Sequence, residues 1–104
     1  MPRSLIAVCL LVLTACAEPP PPDASGQDIY QQLCSNCHGE DLNGGVGPPV
    51  GAGSNSADQD DGFLVLTITR GRGPMPSFES TLNEEQIVRV VEYLRAQQQS
   101  DDSE

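Results

Sequence analysis

The sequence predicts one small all-α domain, and three observations carry that reading. Apolar residues recur at helical spacing in three separate stretches: Ile29, Leu33, Cys34 and Cys37; Leu64 and Ile68; Ile87, Val90, Val91 and Leu94. The stretches between them are rich in glycine and proline, which break regular structure. A chain of 104 residues makes a single domain whose modest core calls for a further staple. Composition narrows the partners. Fifteen acidic residues against five basic ones give a formal charge of -10, and every basic residue is arginine. A nucleic-acid-binding surface needs the opposite balance.

Residues 1–15 read as an address. Met1-Pro2-Arg3 is a short positive start, and Leu5 to Ala15 is an almost unbroken apolar run. It is too short for the ~20 residues that span a bilayer, but it suits a signal peptide. Leu13-Thr14-Ala15-Cys16 resembles the bacterial lipobox, whose cysteine becomes the lipidated new N-terminus. The alternative is an ordinary signal peptide cleaved at Ala15, with Cys16 a spare thiol. Lipid on Cys16 would carry two or more acyl chains, enough for stable anchoring. It would place the protein in a bacterial cell envelope, on the extracytoplasmic side, facing the periplasm or the outer surface of the plasma membrane. Residues 16–24 then form a proline-rich linker. Pro19 to Pro22 favour a polyproline II strut of ~3.1 Å per residue, holding the domain roughly 25 Å from the lipid, or else a disordered spacer.

The folded unit is predicted over residues 25–98. Ser25 caps the first helix, with Asp28 at the third helical position, and Gly39 stops it. That helix closes on Cys34-Ser35-Asn36-Cys37-His38, the spacing of a c-type haem attachment site. Each thiol forms a thioether with one vinyl group, and the adjacent His38 supplies an iron ligand. Other readings of Cys34 and Cys37 are a redox dithiol or half of a zinc site. The dithiol wants a βαβ context; zinc wants two more ligands, and His38 is the only histidine.

Gly44 to Gly53 is loop. Asp58 to Asp61 starts a second helix, its acids complementing the positive helix N-terminus. Leu64 and Ile68 share its inner face, Phe63 and Leu66 add apolar surface, and Gly71 ends it. Gly71-Arg72-Gly73-Pro74-Met75-Pro76 follows. A methionine between two prolines in a loop is poorly placed as core filler. As a second axial ligand it is well placed: its sulfur suits haem iron, and His/Met ligation raises the reduction potential. No lysine or second histidine competes. Asn83 then caps a last helix with Gln86 as its reciprocal partner, and Arg95 lies near its C-terminal end, where a cation is favourable. Residues 99–104 form an acidic tail, predicted to be frayed.

Across 25–98, the helix, CSNCH, Gly-Pro loop, short helix, Gly-x-Gly-x-Met-Pro-x-Phe and amphipathic final helix resemble a class I monohaem cytochrome c. The resemblance implies three to four short helices wrapped round one covalent haem c, with N- and C-terminal helices packed across each other and Tyr93 at an aromatic position of the last. It implies that the carbonyl of Pro48 receives the second ring N–H of His38 and that Val50 packs on the haem; a plain turn is the alternative at Pro48. Arg70 and Arg72 would contact haem propionates or simply be solvated. The stretch between His38 and Met75 is short for the family, which implies an exposed propionate edge.

The function implied is a tethered one-electron carrier, not an enzyme. It would exchange electrons with redox proteins that present a basic docking surface, as a monomer or as a fixed subunit of a larger respiratory complex. A haem-based ligand sensor or peroxidase-like enzyme requires an iron that Met75 leaves open. A non-haem dithiol module requires Cys34 and Cys37 free.

Overall fold

In the computed structural model, residues 18–100 are described; the expected signal peptide, Cys16 and the tail from Asp101 lie outside them. The N-terminal helix runs through Gly26–Ile29, Tyr30–Cys34 and Ser35–His38 without a break. Ser25 caps it, its hydroxyl accepting from the Asp28 amide at 3.0 Å. Its middle turn is a π-turn, in which the Ser35 amide reaches back to the Tyr30 carbonyl. Such wide turns are rare and cluster at functional sites. A single 3₁₀ turn, Asn55–Asp58, precedes the middle helix, Asp61–Arg70. Asp60 caps that helix through the Phe63 amide at 2.7 Å. The acids predicted to open one helix therefore divide: Asp58 ends the 3₁₀ turn and Asp60 begins the helix. The C-terminal helix is Glu84–Ser100. Its start is a reciprocal box, with Asn83 N–H to Gln86 Oε1 and Gln86 N–H to Asn83 Oδ1, both at 2.8 Å. Among the described residues there is no strand, only an isolated bridge between Arg72 and Met75.

The N- and C-terminal helices pack across each other, as the sequence implied. Gly26 makes the crossing close: a Cβ there would lie 2.0 Å from the Arg89 carbonyl oxygen. One turn on, the Tyr30 and Tyr93 rings meet at 5.5 Å between centroids and 49° between planes, a tilted pairing that aromatic quadrupoles favour. Ile29, Tyr30 and Val90 are the most buried side chains, and Leu64, Ile68, Leu82, Ile87, Val91 and Leu94 complete the core. The middle helix adds Leu64 and Ile68 from its inner face, while Phe63 and Leu66 remain exposed.

Two polar residues of the C-terminal helix organise the loops. Gln98 is buried and donates to the Val50 carbonyl at 3.0 Å. Arg95 does not act as a helix-end cation. Its guanidinium donates to the carbonyls of Ser56 at 3.3 Å, Ala57 at 3.5 Å and Gln59, to Gln98 Oε1 at 2.9 Å, and to Asp61 at 2.8 Å. The carbonyls matter more than the ion pair, because Asp61 is largely exposed and such pairs contribute little. Arg95→Ala should therefore lower the unfolding free energy by roughly 2 kcal/mol. Asp61→Asn should change it by less than about 1 kcal/mol. Denaturant titration of both variants checks the contrast.

The proline-rich segment departs from the expected linker. Pro20 is buried, and the carbonyls of Glu18, Pro20, Pro21 and Pro22 all accept from side chains of the helices. Contacts with the helices thus reach back to Glu18, ahead of the predicted start at Ser25, and the last helix runs on to Ser100.

Candidate functional site

The end of the N-terminal helix carries the cysteines and the histidine. Sequence spacing put Ile29, Leu33, Cys34 and Cys37 on one face of this helix. Ile29 and Cys34 are buried, Leu33 packs partly buried against the same cluster, and Cys37 lies in the last turn beside His38. Burial, with the neighbouring Cys37 second, pushes the Cys34 thiol up to about 11. Gly39, at φ +89, stops the helix. The chain then folds back so that the Gly44 amide donates to the His38 carbonyl and the Gly47 amide to the Cys37 carbonyl, each at 2.7 Å. These bonds satisfy carbonyls that a helix end leaves without partners.

His38 is held by the same loop. Its Nδ1 lies 2.7 Å from the Pro48 carbonyl oxygen. A carbonyl only accepts, so Nδ1 carries the proton and Nε2 keeps a lone pair for a metal. Gly47 lies against the ring, where a Cβ would sit 3.2 Å from Cε1 and 3.3 Å from Nδ1. Val50 is buried, its amide donating to the Leu42 carbonyl at 2.9 Å. Leu42 itself is buried in the left-handed region at φ +66.

Tyr30 is a site-supporting residue that the sequence reading passed over. Its hydroxyl donates to the Gly39 carbonyl at 2.6 Å, fixing the residue that follows His38. An aromatic residue one turn before the CxxCH run was the available signal. Burial above all pushes its phenol from 10.0 up to about 12. The folded chain therefore holds this proton where the unfolded chain releases it. The resulting stability is complete below pH 10 and is lost as pH rises towards 12. Urea titrations at both ends of that window should show the loss, and Tyr30→Phe should reduce the alkaline slope.

Met75 sits in a tight turn. Arg72 and Met75 exchange backbone bonds of 3.1 and 2.9 Å around Gly73 and Pro74. Ser77 Oγ donates to the Thr69 carbonyl at 2.6 Å, and the Phe78 amide to the Ile68 carbonyl at 3.2 Å, so the loop is pinned to the end of the middle helix. Gly71 makes the pinning possible. Its φ is +76, and a Cβ there would lie 2.6 Å from the Met75 carbonyl oxygen. The Met75 and Phe78 side chains both pack, partly buried, on the apolar cluster that includes Cys34. The Arg72 guanidinium lies over the Phe63 ring, 5.7 Å from its centroid. Arg70 is exposed in the last turn of the middle helix.

Two thiols, an imidazole with one nitrogen held and the other free, and a thioether on a shared apolar cluster suit haem. Sulfur adds to the vinyl groups, and soft sulfur and imidazole nitrogen suit the iron. Among the described residues, no group of three or more His, Cys, Asp or Glu could hold a bare metal ion. Fold and site together define a small all-helical haem protein of the c type.

Comparison with known proteins gives the family. The family model described as "Cytochrome C oxidase, cbb3-type, subunit III" matches residues 21–94. Cytochrome c6 of Euglena gracilis is 31% identical over 80 residues, covering 69% of this chain and 88% of that protein. Cytochrome c55X of Paracoccus denitrificans is 31% identical over 94 residues, covering 86% and 91%. The crystal structure of cytochrome cL from Hyphomicrobium denitrificans superposes with a TM-score of 0.61 at 29% identity, over 67% of this chain and 44% of that one. The chain belongs to the c-type cytochrome family. It is a small electron carrier with one covalent haem c, and not an enzyme.

Proposed function

We propose that Cys34 and Cys37 form the two thioethers to that haem, that His38 and Met75 are its axial ligands, and that the carrier is tethered through lipid on Cys16 outside the cytoplasmic membrane. The observation that carries the ligand reading is the 2.7 Å contact between His38 Nδ1 and the Pro48 carbonyl, which frees Nε2 directly beside the CxxC pair. Bound there, haem supplies a one-electron couple. The residues do the rest. Pro48 holds the His38 ring in one orientation. Pro74, Pro76 and the Ser77–Thr69 bond stiffen the loop that presents Met75. With Met75 ligated, no position stays open for a substrate, and little rearrangement accompanies electron exchange. Arg70 and Arg72 remain candidates for propionate contact, with Arg72 occupied by Phe63.

Carbon monoxide tests this reading. The ferrous protein at neutral pH should bind it slowly or not at all; rapid binding would point to a sensor or peroxide-consuming enzyme. The matching family description favours a second reading within electron transfer, a fixed subunit of a larger respiratory complex. Co-purification of the chain with a terminal oxidase after mild solubilisation would decide for it. Partners are redox proteins with a basic docking surface, matching the charge of -10. Their association rates should fall as ionic strength rises, which stopped-flow measurement over a salt series checks.

A further inference from the structure

We propose that the proline-rich segment, clamped onto Gln32, Gln86 and Arg89, holds this side of the domain close to the lipid surface. This rests on the reading of Cys16 as the lipid-bearing residue. Four consecutive prolines offer carbonyl acceptors and no N–H donors. The helices meet them with donors alone. Gln32 Nε2 donates to the Glu18 carbonyl at 2.8 Å. Gln86 Nε2 donates to Pro21 at 3.2 Å and Pro20 at 3.4 Å. Arg89 Nη2 donates to Pro22 at 2.5 Å, and the Ala24 amide closes a turn on Pro21 at 2.9 Å. A stiff polyproline segment loses little further freedom when it is captured, so these few bonds hold it.

Reach then sets the height of the domain. Glu18 is fixed to the N-terminal helix, and only Ala17 separates it from Cys16, two steps or about 7 Å of extended chain. A lipidated Cys16 lies at the headgroups, so Gln32 and the start of the C-terminal helix lie close to them as well. A free strut would hold the domain roughly 25 Å away. A carrier seated in this way searches for partners in the plane of the membrane. It suits a membrane-bound redox protein whose entry site lies near the lipid surface rather than one freely diffusing.

Neutron reflectometry of the full-length, haem-loaded protein on a phosphatidylcholine bilayer tests the proposal. The expected profile has protein density directly on the headgroups. A water layer of roughly 25 Å between them would overturn it. The Gln32→Ala, Arg89→Ala double variant should open such a layer; Gln32→Ala alone, an exposed change that leaves the core intact, should broaden the protein layer. A profile unmoved by both variants would also overturn the clamp. Intact mass separates the two levels of the argument. Protein without acyl chains on Cys16 overturns the anchoring reading and the clamp together, whereas acylated protein with a water gap overturns the clamp alone.

Discussion

Gly26→Ala should destabilise the holoprotein by roughly 3 kcal/mol or more, a large share of the ~5–15 kcal/mol typical of a whole domain. The added methyl would lie 2.0 Å from the Arg89 carbonyl oxygen, 2.6 Å from its carbon and 3.0 Å from Tyr93 Cβ. The first two are backbone atoms of a helix and cannot turn aside. The helices must separate, and that loosens the Tyr30–Tyr93 contact and the bond from Arg89 to Pro22 with it. Gly62→Ala is the control. Gly62 lies in the middle helix, where a methyl would find Asp60 Oδ1 at an ordinary 3.5 Å. Alanine is the better helix former, so this change should be neutral or stabilising by up to ~1 kcal/mol. Thermal unfolding of the pair separates a crossing that needs glycine from a general sensitivity to added bulk.

Met75→Ala should lower the reduction potential by on the order of 100 mV or more, since axial ligands set haem potentials over about 0.8 V. It should also open the sixth position, so that the ferrous variant binds carbon monoxide rapidly. The fold should survive, because Met75 is only partly buried and its loop is held by backbone and Ser77 bonds that the substitution leaves in place. Spectroelectrochemistry with far-ultraviolet circular dichroism distinguishes loss of a ligand from loss of structure. Gly71→Ala offers a complementary route to the same result. It keeps the sulfur but pushes a methyl into the Met75 and Pro76 backbone, so the loop should move and the potential fall with it.

Much of the fold was legible because its signals are local. Ser25, Asn83 and Gln86 are caps, and caps are read within four residues. Ile87, Val90, Val91 and Leu94 form a stripe of helical period and are all buried. The π-turn escaped because periodicity arguments assume 3.6 residues per turn, whereas the wide turn buries Ile29 and Cys34, five positions apart, together. Arg95 and Gln98 were misjudged or passed over for a different reason. Their partners lie more than 30 positions away in the loops, and a side chain's position within its own helix says nothing of that. The proline segment failed likewise. Its composition bears on stiffness alone, and whether the segment stands free depends on donors that only the fold brings to it. At the candidate site, the CxxCH run, Pro48 and Met75 stood out as residue types at telling positions. The support from Gly47 and Phe63 became visible only in three dimensions.

The central claim is that His38 and Met75 together close the iron. The ferric absorption spectrum of the haem-loaded protein, recorded beside that of Met75→Ala, tests it most directly. A low-spin spectrum is expected, with a weak red methionine-to-iron band that disappears in the variant. A high-spin wild-type spectrum without that band would contradict it, and would make this chain a haem protein with an open site.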